Sequence, residues 1–240
     1  MKIPLYLAMT AAEFVASNPH PAKCGWMACH FSPYCTGLSN VPSSLPPNSL
    51  LIVNDITPIH GHDPERIYDT LQALISDFQC VGILLDFQRE GIDETAALVK
   101  KLLDLPAKVC VSEKYASSFP CPVFLPPPQI RQNLNTYLSP WQNREIWLEA
   151  ALSRESICIT EKGFEETDVL WGNVSTPHQD TDLFCHYAVK TETERAFFYL
   201  QRMPEDLFAL LNASADLGVT QAIGLYQELK EFPLFISPDL

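Results

Sequence analysis

Polar residues set inside apolar runs are the first candidates for chemistry in this chain. In Val81-Gly82-Ile83-Leu84-Leu85-Asp86-Phe87-Gln88-Arg89-Glu90 an apolar stretch ends in an alternating polar tail. Side chains alternate across an extended strand, so residues 82, 84, 86 and 88 share one face and Asp86 stands beside Gln88. Two carboxyl groups so placed could donate a proton and act as nucleophile or base. An amide has no proton to give at any useful pH, yet it donates and accepts hydrogen bonds, as a ligand-binding group should. Glu90 follows two residues on and either reaches back toward the same face or is a solvated loop charge. Glu149 lies between Leu148 and Ala150 inside an apolar run, where an inward carboxylate is costly without a partner. Asp86, Glu90 and Glu149 are therefore the catalytic candidates, and Glu228 is a further carboxylate beyond the last apolar run.

Two other groups of residues have types that bind metals. Asn54-Asp55-Ile56-Thr57-Pro58-Ile59-His60-Gly61-His62-Asp63 brings His60 and His62 close in sequence, but Gly61 and a helix-capping Asp63 make a plain turn the more economical reading. His60 would then line the mouth of a ligand site, as would Asn54 and Asp55. Cys24, Cys29, His30 and Cys35 cluster with spacings that fit no tight zinc knuckle and read as core and loop residues. His30 alternates with Cys29 and is either a core histidine bonded to a neighbouring strand or a group pointing toward Asp86.

The elements that must position these residues have a regular rhythm. Eight apolar runs, at 3–9, 26–31, 50–56, 81–87, 108–111, 122–125, 146–152 and 221–226, are separated by helical or turn material. Parallel strands joined by helices have this pattern, and eight of them close a barrel. The spacing predicts helices from 64, after the cap Asp63 and with Pro64 in the first turn, over 93–103, and over 204–217 with Gly218 as a left-handed cap. The connection 113–120 is too short for a full helix and Pro126-Pro127-Pro128 follows the sixth run, so one side of the barrel is thinly covered, which suggests a homodimer. Between 153 and 203 the pattern changes to alternating stretches, read as antiparallel hairpins inserted after the seventh strand.

The segment 81–88 resembles the D-G-x-D-x-D-x-E signature on the fourth barrel strand of glycoside hydrolase family 18. Gly82 and Asp86 are retained, Val81 and Leu84 replace two aspartates, and Gln88 stands where that family places its proton-donating glutamate. The C-terminal stretch is similar to the family's last segment, a hairpin, a helix and a strand ending in tryptophan. Tyr226 would take the tryptophan's place as an aromatic floor under a sugar ring. The family's Tyr-Asp pair on strand six is replaced by Leu125-Pro126. The resemblance implies a (β/α)8 barrel, chitinase-like, in which the usual acid-catalysed mechanism has lost its acid.

Composition bounds what remains. The chain has 240 residues, 47% of them apolar, enough for one barrel domain over 1–240 with a β-rich subregion at 153–203. Twenty-nine acidic against sixteen basic residues give a formal charge of -13, which repels phosphate backbones and argues against nucleic acid. The eight cysteines sit largely within apolar runs, as reduced core residues of a cytoplasmic protein do; secretion is the alternative. The start, with one lysine and a broken apolar run, is too short to span a membrane. No cofactor is called for. The expected function is non-hydrolytic binding of a glycan or other small polar ligand at the C-terminal face of the strands by Asp86, Gln88, Tyr226, Asn54, Asp55, His30 and Glu228. The alternatives are a glycoside hydrolase acting through Glu90 or Glu149, or a metal-dependent hydrolase on His60 and His62.

Overall fold

The computed structural model describes residues 1–17, 19–89, 93–167 and 177–236. The apolar runs form strands β1 (Leu5–Met9), β2 (Cys24–Phe31), β4 (Leu50–Asn54), β5 (Gly82–Asp86), β6 (Lys108–Ser112), β7 (Val123–Leu125) and β8 (Ile146–Ala150), with a two-residue β3 (Leu38–Ser39) antiparallel to β2. The inserted segment supplies β9 (Arg154–Thr160), β10 (Gly163–Glu166), β11 (His178–Asp180), β12 (Cys185–Glu192) and β13 (Arg195–Gln201), and the chain returns in β14 (Val219–Leu225). Parallel pairing in the order β1-β14-β8-β7-β6-β5-β4-β2 returns to β1 and closes an eight-stranded barrel. The inserted strands form a separate antiparallel sheet, ordered β10-β9-β13-β12-β11.

Strand alternation sorts the side chains. Tyr6, Ala8, Leu50, Ile52, Leu84, Cys110, Phe124, Trp147 and Ile223 pack together inside the barrel, while Leu5, Leu7, Leu51, Val53, Ile83, Leu85, Val109 and Leu148 face outward into the core beneath the helices. Trp147, fully buried, fills the lower lumen, and Gly82 makes room for it: a Cβ on Gly82 would lie 3.0 Å from the indole and 3.0 Å from the Lys108 carbonyl. The indole N–H donates to Glu145, which also accepts from Lys108 and Thr220, and this group closes the N-terminal end.

Three connections carry full helices: α2 (Pro64–Phe78), α3 (Asp93–Leu102) and α6 (Pro204–Asp216), joined by the short α1 (Ala11–Ala16), α4 (Glu113–Ala116), α5 (Leu134–Leu138), α7 (Tyr226–Leu229) and α8 (Pro233–Ile236). Asp63 caps α2 through the Glu65 amide, and Gly218 adopts a φ of +97° after α6. One turn of α4 and five residues of α5 cover β6 and β7, so that side of the wall is thin, as the short connections imply. The inserted sheet is fastened to the barrel by buried groups. Arg202 donates to the carbonyls of Phe184 and Pro128, Glu155 accepts from the Ile130 amide, and Asp206 accepts from His186 and Met203. None of the described helices is long and apolar enough to cross a membrane.

Candidate functional site

The C-terminal ends of the strands surround a cavity of about 370 Å³. Ala8, Met27, Ile52, Leu84, Phe124, Ile223 and Leu225 make an apolar floor, above which stand Asp86 and Gln88 from the end of β5, Glu149 from β8, and Ser112, Glu113 and Lys114 from the β6 end. Volume and lining suit a small ligand held by a few polar groups over an apolar base. Strand parity brings Asp86 here, Gln88 continues it two residues past the strand end, and the Gln88 side-chain amide donates to Asp86 Oδ1 at 2.6 Å.

The backbone around Gln88 is held from several directions. The Gln88 and Arg89 amides donate to the two oxygens of Asp55, each at 2.9 Å. The carbonyls of Phe87, Gln88 and Arg89 accept from Ser112 Oγ (2.6 Å), Lys114 Nζ (2.6 Å) and Tyr115 Oη (2.9 Å). The Arg89 guanidinium turns back onto the carbonyls of Asp55 and Ile56.

Electrostatics separate the carboxyl groups by environment. Burial pushes the Asp86 carboxyl above the usual range; the Gln88 hydrogen bond opposes the rise and the nearby Asp55 charge adds to it. Burial likewise raises Glu149, reinforced by the charges of Asp86 and Glu228. Burial and then the charges of Glu113 and Glu149 push the Tyr137 phenol well above its ordinary value; its hydroxyl donates to the carbonyl of Pro126, another cavity-lining residue.

Other sequence candidates lie elsewhere. Tyr226 opens α7 and packs against the outer core, and Leu225 occupies the cavity side of that strand end. Glu228 accepts the Leu152 amide and so ties α7 to the start of the insertion. Asn54 bridges the Met27 carbonyl and the Ile56 amide, and His30 bonds the Ala28 carbonyl at 3.0 Å. His60 pairs with Glu94 at the surface, whereas His62 packs against the Phe31 ring at 5.2 Å, so the two imidazoles do not converge. Among the described residues no group of three or more His, Cys, Asp or Glu could hold a metal ion. Glu90 lies outside the described residues. Ser112, Glu113 and Lys114 lie just past the apolar run 108–111 and carry no signal of their own; its alternation taken from Cys110 one step on places Ser112 inward.

The closed parallel barrel, with an antiparallel sheet inserted after its seventh strand, is a (β/α)8 barrel similar in fold to solved chitinases. Among solved structures the chain is similar to a GH18 chitinase from Cycas revoluta in complex with (GlcNAc)3, with a TM-score of 0.59 and 9% identity over 96% of this chain and 97% of that one. It is similar also to a chitinase from Chromobacterium violaceum (TM-score 0.53, 9% identity, 98% and 97% covered). A third similar structure is the spore cortex-lytic enzyme SleL of Bacillus cereus (TM-score 0.54, 8% identity, 98% and 74% covered). At these identities the likeness is one of fold. No protein-family model matches the sequence, and no curated protein does.

Proposed function

We propose that this protein binds a glycan in the cavity at the carboxyl end of its barrel and does not hydrolyse it by the acid-catalysed route of chitinases. The observation that carries this reading is the Asp86–Gln88 pair at 2.6 Å, an amide where the resemblance of 81–88 to the family 18 signature puts that route's acid. The hydrogen bonds around residues 87–89 support binding over an unused remnant, because an idle amide gains nothing from so fixed a backbone. Family likeness supports the ligand class: the Cycas revoluta barrel was solved with (GlcNAc)3. Asp86, Gln88, Ser112 and Glu149 would meet sugar hydroxyl and amide groups, and the aliphatic floor would meet the apolar face of the ring.

One observation favours a second reading. Glu149 lines the cavity with its proton affinity raised by burial, the condition of a general acid. Turnover of aryl glycosides of N-acetylglucosamine oligomers separates the two. The binding reading predicts no turnover by the parent protein and measurable turnover by Gln88→Glu. Parent turnover abolished by Glu149→Gln would establish the second reading instead.

A further inference from the structure

Gln88 lies two residues beyond the end of β5, where the barrel no longer fixes the chain. The last β5–β4 pair is Asp86 with Asn54, and the last β5–β6 pair is Leu85 with Val111. Residues beyond such an end ordinarily rotate freely about their backbone bonds. Here side chains take over from the sheet: Ser112, Lys114 and Tyr115 hold the carbonyls of 87–89, and Asp55 holds the amides. Asp55, the residue after β4, is buried, and its carboxylate receives both of the next two free amides, those of Gln88 and Arg89. The Arg89 guanidinium closes the ring by donating to the Asp55 backbone carbonyl at 2.7 Å.

We propose that Asp55 is the positioning residue of the site: by extending the β4–β5 pairing through its carboxylate, it fixes the direction in which Gln88 enters the cavity and so the Gln88–Asp86 bond. It acts through Gln88 and touches no ligand itself. The proposal rests on the reading that Gln88 contacts the bound glycan. A carboxylate is required for geometric reasons. It accepts from two N–H groups at once, whereas an asparagine turns its own N–H toward one of them.

The test is a double-mutant cycle in which the parent, Asp55→Asn, Gln88→Ala and the double variant are titrated calorimetrically with the N-acetylglucosamine tetramer. The side-chain amide resonances of Gln88 are recorded in the parent and in Asp55→Asn. Asp55→Asn should weaken binding about tenfold in the parent background and less than about twofold in Gln88→Ala, because the two substitutions remove one interaction. General loosening of the fold would lower affinity by the same factor in both backgrounds, and that result overturns the proposal. If the parent gives no binding heat, the glycan reading fails while the resonances still decide: a Gln88 amide signal unchanged by Asp55→Asn removes the positioning role, and a shifted one supports it. Asp55→Glu, which keeps the charge and moves both oxygens by one methylene, serves with the same expectations where Asp55→Asn does not fold.

Discussion

Burial raises the proton affinity of two carboxyl groups in the cavity, and the consequence for stability has a definite sign. Asp86 and Glu149 ordinarily titrate near 3.8 and 4.5 and are shifted upward in the folded chain. Between the unfolded and folded values the native state holds more protons than the unfolded state, so their contribution is fully present below the ordinary values and is lost as pH rises through the folded ones. Glu149→Gln removes one such group without changing the volume. The variant should melt higher than the parent at pH 7.5 and show a smaller fall in Tm from pH 4 upward, with roughly 1 kcal/mol appearing as about 2–4 °C. A lower Tm for the variant at pH 7.5, by differential scanning fluorimetry, would show that an ionised Glu149 is stabilised by partners instead. At this scale Gln88 was legible because alternation carried two residues past β5 points it to the face of Asp86. The role of Asp55 was not, since its carboxylate serves amides 33 and 34 residues away and no periodicity encodes such a contact.

At the scale of elements, one residue of phase decides between cavity and outer core. The alternating and apolar runs located all eight barrel strands to within a few residues, because burial on both faces leaves a continuous apolar signature. The final strand shows the limit. Its pairing with β8 shifts register between Val219 and Gln221, after which Ile223 and Leu225 face inward and Tyr226 leaves the strand for α7. A shift of this kind exchanges the two faces of a strand, and it is set by the neighbouring strand instead of by local sequence. Gly82 shows the opposite case, a glycine with a packing reason. Gly82→Ala would press a methyl against the indole of Trp147 and the Lys108 carbonyl, at 3.0 Å from each. We expect a loss of about 1–3 kcal/mol in urea-induced unfolding. An unchanged midpoint would mean that the lower lumen is looser than its contacts imply.

For the whole molecule, fold and chemistry separate. A barrel shared with chitinases supplies a concave face at the ends of its strands, and what that face does depends on a few side chains. The order of strands and the position of the insertion could be read from the sequence, because they follow from the rhythm of apolar runs. The full lining of the cavity could not, since it is assembled from the ends of strands far apart in the chain and from the short connection after β6. The net charge of -13 and the carboxylates of the cavity disfavour an anionic ligand. The most direct test mixes the parent protein with the N-acetylglucosamine tetramer and follows binding heat by calorimetry and the integrity of the sugar by mass spectrometry. We expect saturable binding, weakened at least about tenfold by Gln88→Ala, with the tetramer recovered intact. No binding, or cleavage of the tetramer by the parent, would contradict it.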